Sequence, residues 1–292
     1  MNEMKINQDN LDLYWHWIKE RQNILYRRFI LKEQPPWTED KILQDWKFCN
    51  VERQNDTGTK YLKEEIIDKE IIPTELLFKM IVYRLFNRIE TYEKCLKNLS
   101  WINFNLEETL EKLKSHRIAG NPVFTNAFMV TGKCHPETHD KIEKYFLVTC
   151  DIHKIIPDLL QELNKNGLEG FFQKIKTIHG IGNFIAYVIC SDLVYTRLVD
   201  TNDDNNTWVY FGAGAKRGLK LIFPDIDDND DRQLKESLQW LYDNQEIDFR
   251  EPCWQETKKI SLMNIENCCC ELSKYFKIKF GKGRAKVRFN YK

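Results

Sequence analysis

The most constraining feature of this chain is a twelve-residue pattern past its midpoint, Ile175-Lys-Thr-Ile-His-Gly-Ile-Gly-Asn-Phe-Ile-Ala186. Apolar residues sit at helical spacing on both sides of Gly180-Ile-Gly182, the form of a helix-hairpin-helix at about residues 172–195. Two glycines one residue apart allow a turn free of Cβ penalties, so the two helices can reverse tightly. Each helix then carries an apolar face that further helices must cover, and the expectation is an all-α fold. In such a turn, backbone N–H groups around Gly180, Gly182 and Asn183 converge at the positive end of the second helix, where a phosphate oxygen fits. The competing reading is a plain helix-helix turn whose glycines permit close packing.

The rest of the chain is periodic in the same way. Helices are predicted over Leu11–Leu31, Lys41–Trp46, Val51–Ile67, Pro73–Leu99, Asn105–Ser115, His139–Thr149, Ile155–Asn166, Leu168–Ile178 and Asn183–Tyr195. Lys216–Phe223, Arg232–Asn244 and Thr257–Tyr275 follow, with Thr38 as a candidate N-cap and Gly120–Gly132 as an apolar segment entered through a turn. Asp200–Trp208 reads as irregular, Asp225–Asp231 as an acidic loop, and 276–292 as a basic tail. With neither repeats nor an evident linker, residues 1–292 read as a single helical body, within the size range of one large domain.

Charge narrows the function. Lys plus Arg and Asp plus Glu are 44 each, so any nucleic-acid site is a local patch on a neutral body, not a uniformly basic surface. No apolar run approaches the ~20 residues of a membrane span, and the polar start lacks the apolar stretch of a signal peptide. The 9 cysteines, three of them adjacent at Cys268–Cys270, do not form a disulfide pattern, and an intracellular location is expected.

Several motifs bear on chemistry. Asp192 falls in an otherwise apolar helix, where a charge needs a partner, whether for structure or for catalysis. Phe211-Gly-Ala-Gly-Ala-Lys-Arg-Gly218 allows a ligand close to the backbone, with Lys216 and Arg217 as phosphate or pyrophosphate ligands; an ordinary helix start is the alternative. The phosphate-binding pattern Gly-x-x-x-x-Gly-Lys-Ser/Thr is absent, which argues against an ATP-dependent kinase of that class. Cys134, His139, Cys150 and His153 have zinc-ligand chemistry but the spacing of no common finger, and no metal or cofactor is expected. The acidic loop lacks a calcium-loop pattern.

Five segments, read together, are similar to one family. They are Pro36-Trp-Thr38 with Phe48-Cys-Asn50-Val-Glu-Arg53-Gln-Asn-Asp56-Thr-Gly-Thr59-Lys-Tyr61; Arg84-Leu-Phe-Asn87-Arg-Ile-Glu-Thr91; Phe124-Thr-Asn-Ala127-Phe-Met; the hairpin with Ala186-Tyr187 and Asp192-Leu193; and Gly212–Gly218. Cys270-Glu-Leu-Ser-Lys274-Tyr275 and Gly281-Lys-Gly-Arg284 extend the match into the tail. The chain resembles the alpha-glutamyl/putrescinyl thymine pyrophosphorylases, related to the helical domain of 5-hydroxymethyl-deoxyuridine DNA kinases. The hairpin segment also resembles helix-hairpin-helix DNA glycosylases, whose essential Asp lies about twenty residues on; Leu198-Val-Asp200-Thr-Asn202 stands there.

The resemblance implies a glycosylase-like helical fold acting on a flipped modified pyrimidine in DNA, where an amino acid or polyamine displaces diphosphate. Asn50, Arg53, Asp56, Arg84, Asn87, Lys216 and Arg217 would bind substrate and diphosphate, and Asp200 or Asp192 would serve as base or stabilise a cationic carbon. Gly180, Gly182, Asn183, Lys282 and Arg284 would hold DNA. Arg53–Asp56 and Arg84–Asn87 read equally as structural i,i+3 pairs. Glu52, Thr57, Val188 and Ser273 depart from the family pattern, so a non-catalytic DNA-binding or protein-interaction subunit stands as the alternative.

Overall fold

The computed structural model describes residues 4–125, 135–199, 208–255, 257–283 and 287–289. Among these residues every regular element is a helix, as expected, and the one β pairing is an isolated bridge between Trp46 and Arg288. The helices are α1 Gln8–Leu25, α2 Lys41–Asp45, α3 Thr57–Leu62, α4 Pro73–Phe86, α5 Ile89–Thr91 and α6 Leu106–Ile118. They continue with α7 Lys141–Ile175, α8 Asn183–Leu193, α9 Ala213–Ile222, α10 Asp231–Asp243 and α11 Leu262–Lys279. Short polar side chains begin most of them: Asn7, Asp40, Asn105, Asp140, Asp230 and Ser261 each accept from a first-turn amide. The chain divides into two compact units, one of residues 1–56 with 205–292, the other of 57–204.

In the first unit, α9 and α11 cross very closely, and glycine makes the crossing possible. A Cβ on Gly218 would stand 2.0 Å from the Cys269 carbonyl oxygen, and one on Gly214 would stand 2.2 Å from Cys270 Sγ. Helix α9 starts at Ala213, with Gly212 at its N-cap position, three residues before the predicted Lys216. Tyr14 in α1 donates its hydroxyl to the Ile265 carbonyl at 3.2 Å, which sets α1 against α11. The N-cap of α2 is Asp40 and not Thr38, whose hydroxyl instead accepts from the Asp40 amide. Tyr275 donates to the Asp40 carboxylate, and His16 lies 3.6 Å from it. Burial works to raise the Asp40 pKa, but the bonds from His16, Tyr275 and the Leu43 and Ile42 amides prevail and hold it at about 2.

In the second unit α4 is buried almost all round and packs on α7 and α8. The predicted Pro73–Leu99 helix is interrupted at Asn87, whose left-handed backbone (φ 48°) ends α4. Of the three helices predicted between His139 and Ile178, the first two run together from Lys141, and the predicted break between Asn166 and Leu168 falls at Gly167, whose backbone is non-helical (φ 62°, ψ −157°). Glu75, buried in the first turn of α4, accepts from Ser100 Oγ and from the Trp101 and Ile102 amides, so the loop after α5 is tied back to the unit.

Two measurements check this packing. Gly218→Ala places a methyl group against backbone, which cannot rotate away, and should cost about 2 kcal/mol or more in urea unfolding; a loss under about 0.5 kcal/mol would contradict the crossing. Asp40→Asn keeps an N-cap acceptor but has nothing to titrate. Because the folded pKa lies below the unfolded one, the stabilisation is complete above about pH 4 and disappears towards about pH 2. The advantage of wild type over Asp40→Asn should shrink across that window, and a constant difference would refute the ion-pair account.

Candidate functional site

The predicted hairpin forms a tight turn between two helices. Helix α7 ends at Ile175, two 3-10-like bonds (Thr177 N–H to Lys174 and Ile178 N–H to Ile175) tighten its exit, and α8 begins at Asn183. Gly180 has φ 105°, which L side chains rarely adopt, so glycine is needed there. Gly182 is different: it caps α8 with φ −90° and ψ 173°, no side chain caps the helix, and a Cβ would meet nothing within 4 Å. Ile178, Ile181 and Ile185 are buried beneath the turn, while Phe184 is exposed. The turn thus presents a helix N-terminus over open space, on an apolar footing.

Near the other end of α8, the charge predicted to need a partner has one. Asp192 is 2% exposed and receives a bidentate pair from Arg84, itself 3% exposed. Arg84 Nη2 donates to Asp192 Oδ1 at 2.7 Å and to Thr59 Oγ1 at 2.8 Å, and Nη1 donates to Asn87 Oδ1 at 3.1 Å. Tyr83, whose hydroxyl donates to the Gly58 carbonyl at 3.0 Å, packs its ring against the guanidinium. Arg84, Asn87 and Asp192 are therefore together, with Thr59 as a partner the motif contained but sequence reasoning gave no role. Helices α3, α4 and α8 meet at this one cation.

Asn50 and Asp56 form a second network, in the first unit. Asp56 Oδ1 accepts from the Asn50 amide at 2.8 Å and from Asn50 Nδ2 at 3.0 Å. Arg21 of α1 donates to Asn50 Oδ1 at 2.6 Å and to the Cys49 carbonyl at 3.0 Å. Burial pushes the Asp56 carboxyl above the usual range, against the pull of Arg53 and Arg21. The Cys49 amide donates to Glu271 at 3.0 Å, and Lys274 holds the same carboxylate at 2.8 Å. Arg21 and Glu271 belong to no sequence motif with an assigned role; their signal in the sequence is a charge on a helix face otherwise apolar, as at Asp192. Arg53 begins a short 3-10 turn, Arg53–Asn55, and its amide donates to Asn264 at 3.2 Å.

The Gly212–Gly218 segment serves packing more than ligand approach, since two of its glycines are occupied by α11. Lys216 donates to the Asp228 carbonyl at 2.8 Å, so it spans the acidic loop, and exposed Arg217 reaches Ser273 Oγ at 3.4 Å. Cys268 and Cys269 are fully buried, and burial pushes both thiols well up, so neither is poised as a thiolate. His153 stacks on Phe104 and donates to the Trp101 carbonyl at 2.8 Å. Among the described residues no group of three His, Cys, Asp or Glu side chains could hold a metal, and no helix is long and apolar enough to cross a membrane. Asp200, Arg284 and Cys134 lie outside the described residues. Gly180, Gly182 and Asn183 belong to the second unit; Lys216, Arg217 and Lys282 belong to the first.

If Arg84 and Asp192 hold each other, removing one partner strands a buried charge. Asp192→Asn should cost about 3–5 kcal/mol in denaturant unfolding. The double change Arg84→Leu with Asp192→Leu should cost clearly less than the two single changes summed. Additive losses would show that the pair is not coupled.

Residues 8–285 match the family described as the helical domain of 5-hmdU DNA kinase. The chain is 29% identical over 299 residues to a 5-hmdU DNA kinase of Bacillus phage SP10, an alignment covering 91% of this chain and 44% of the phage protein. The chain thus spans less than half the length of that relative. No solved structure matches.

Proposed function

Because this chain belongs to the family defined by the helical domain of 5-hmdU DNA kinase, we propose that it acts in thymine hypermodification, on a 5-hydroxymethyl-uracil derivative in DNA. The base is flipped from the stack, since its exocyclic carbon is otherwise out of reach of a pocket. The reaction is a substitution at that carbon. A C–N bond forms from an amino acid or polyamine nitrogen, the C–O bond to diphosphate breaks, pyrophosphate leaves with the bonding pair, and a carboxylate takes the amine proton.

The observation that carries this reading is convergence. Motif residues close into two largely buried polar networks, Asn50–Asp56 with Arg21 of α1, and Thr59–Arg84–Asn87–Asp192 drawn from three helices. Burying polar groups is costly, so such networks mark places where specificity or chemistry is retained. Arg53, with Lys216 and Arg217, supplies cations for diphosphate. Asp56, whose pKa is raised by burial, can accept a proton at a pH where ordinary carboxylates are poor bases. In the second unit Asp192 orients Arg84, and the Gly180–Gly182 turn with Asn183 holds the DNA backbone; Asp200 is a further candidate base of that unit.

A second reading, DNA binding without turnover, draws support from Arg84. Its Nε and Nη2 are committed to Asp192 and Thr59, which neutralises a cation that a diphosphate would need. One assay separates the two readings. Purified chain receives duplex DNA with diphosphate-activated hydroxymethyl-uracil and a panel of amines, and pyrophosphate release is measured. Release that Asp56→Asn abolishes while DNA binding survives supports the enzyme. Binding without release from any amine supports the second reading. Gly182→Asp should weaken duplex binding about tenfold at low salt without lowering Tm, because the backbone is allowed, the space is open and Asp is itself a good N-cap. Unchanged affinity would remove the hairpin from the interface.

A further inference from the structure

From Lys274 to Lys292 the sequence carries eight Lys or Arg and no Asp or Glu, interleaved with aromatic residues. In a chain of zero net charge this is the longest one-sign stretch of cations, and the structure shows what is done with part of it. Phe276 and Phe280 lie one turn apart on α11 with ring centroids 4.4 Å apart, and Phe280 is half exposed. Lys277 and Lys279 flank this aromatic stripe on the helix surface. Gly281, at φ 66°, turns the chain back, with its amide on the Ile278 carbonyl and the Lys282 amide on the Lys277 carbonyl. This closure satisfies the last carbonyls of the helix internally. It also brings the Lys282 ammonium to 5.3 Å from the Phe276 ring. Lys274 is held by Glu271, but Lys277, Lys279 and Lys282 form no ion pair among the described residues.

Three ammonium groups without an ion pair line this end of the helix, Lys282 over the Phe276 ring and Lys279 over the Tyr275 ring, beside a partly exposed aromatic pair, and that combination suits an unpaired polynucleotide strand. Phosphates follow the cations, and a base stacks on an exposed ring face. A duplex keeps its base faces inside and could use only the charges. We propose that the C-terminal end of α11 is a contact strip for a single strand of DNA, with Lys277, Lys279 and Lys282 on the phosphates and Phe280 under a base. The proposal rests on the DNA reading above and adds the kind of strand and the residues that receive it. A base-modifying site that opens its substrate produces an unpaired stretch, and this strip is suited to hold it.

The test uses fluorescence anisotropy with a labelled oligo-dT strand and a duplex, on the full chain and two variants. Lys277→Gln with Lys279→Gln and Lys282→Gln should weaken single-strand binding about tenfold and lower the salt slope by about 2, the value for three phosphate contacts. Phe280→Ala should weaken single-strand binding about fivefold or more, leaving duplex affinity and the salt slope unchanged. All of these side chains are partly or fully exposed, so unchanged thermal unfolding serves as the folding control. Wild type binding DNA with both strip variants unaffected would overturn this inference alone. A triple-lysine loss equal on single strand, duplex and anionic phospholipid vesicles, with Phe280→Ala silent, would also overturn it, leaving only a cationic patch. Wild type binding neither form of DNA would overturn the DNA reading as well.

Discussion

A guanidinium taken out of water must find its counter-charge, and the second unit is organised around that requirement. Arg84 and Asp192 are both almost wholly buried, and a lone charge at either position would be strongly destabilising. Their bidentate geometry, with Thr59 and Asn87 taking further N–H groups, fixes three helices in angle as well as distance. Helix α8 is therefore anchored by its last turn while its first turn emerges from the Gly180–Gly182 hairpin. The hairpin's exposed N-terminus thus rests on a helix held at its other end by an ion pair. A carboxylate read from sequence as a catalytic candidate has a structural task in hand.

The first unit solves a different problem. Helices α9 and α11 approach so closely that Gly218 lies against the Cys269 backbone and Gly214 against the Cys270 side chain, leaving no room for a Cβ at either glycine. The three cysteines are packed on different sides, Cys270 against Gly214, Cys268 against the Val51 carbonyl and Cys269 against Tyr14, and burial raises all three thiol pKa values. Around this crossing, polar residues from α1, the 49–56 segment and α11 build the network of Arg21, Asn50, Asp56 and Glu271. The tail returns along α2, with the Lys47 and Phe289 amides bonded across and Arg288 over the Trp46 ring. Cations that look like a loose basic end in the sequence are partly ordered by aromatic contact.

Much of this was legible in one dimension. Apolar periodicity located nearly every helix, because a helix must bury one stripe wherever it sits. Boundaries were less legible: Asp40 and not Thr38 accepts from the first amides of α2, α9 begins after Gly212 with no side-chain cap, and α11 begins after Ser261, whose hydroxyl accepts from the Asn264 amide. The need for a partner at Asp192 was readable, yet its identity was not. Arg84 lies 108 positions away, and no local pattern announces so distant a contact. Arg21 escaped notice for the same reason, as its partners lie beyond any helical repeat.

Thus the sequence alone determined the helical class, the hairpin with its glycines, the family resemblance and the polar residues that had to be satisfied somewhere. Those follow from local sterics and from the cost of exposing apolar or stranding polar groups, which act on a chain of any shape. Only the tertiary structure decided which polar residues satisfy which, and which glycines serve a turn and which a helix crossing. Gly180 and Gly218 look alike in a string of letters. One is needed for its backbone angle and the other for the absence of a side chain against a neighbouring carbonyl, and that difference exists only when distant segments are brought together.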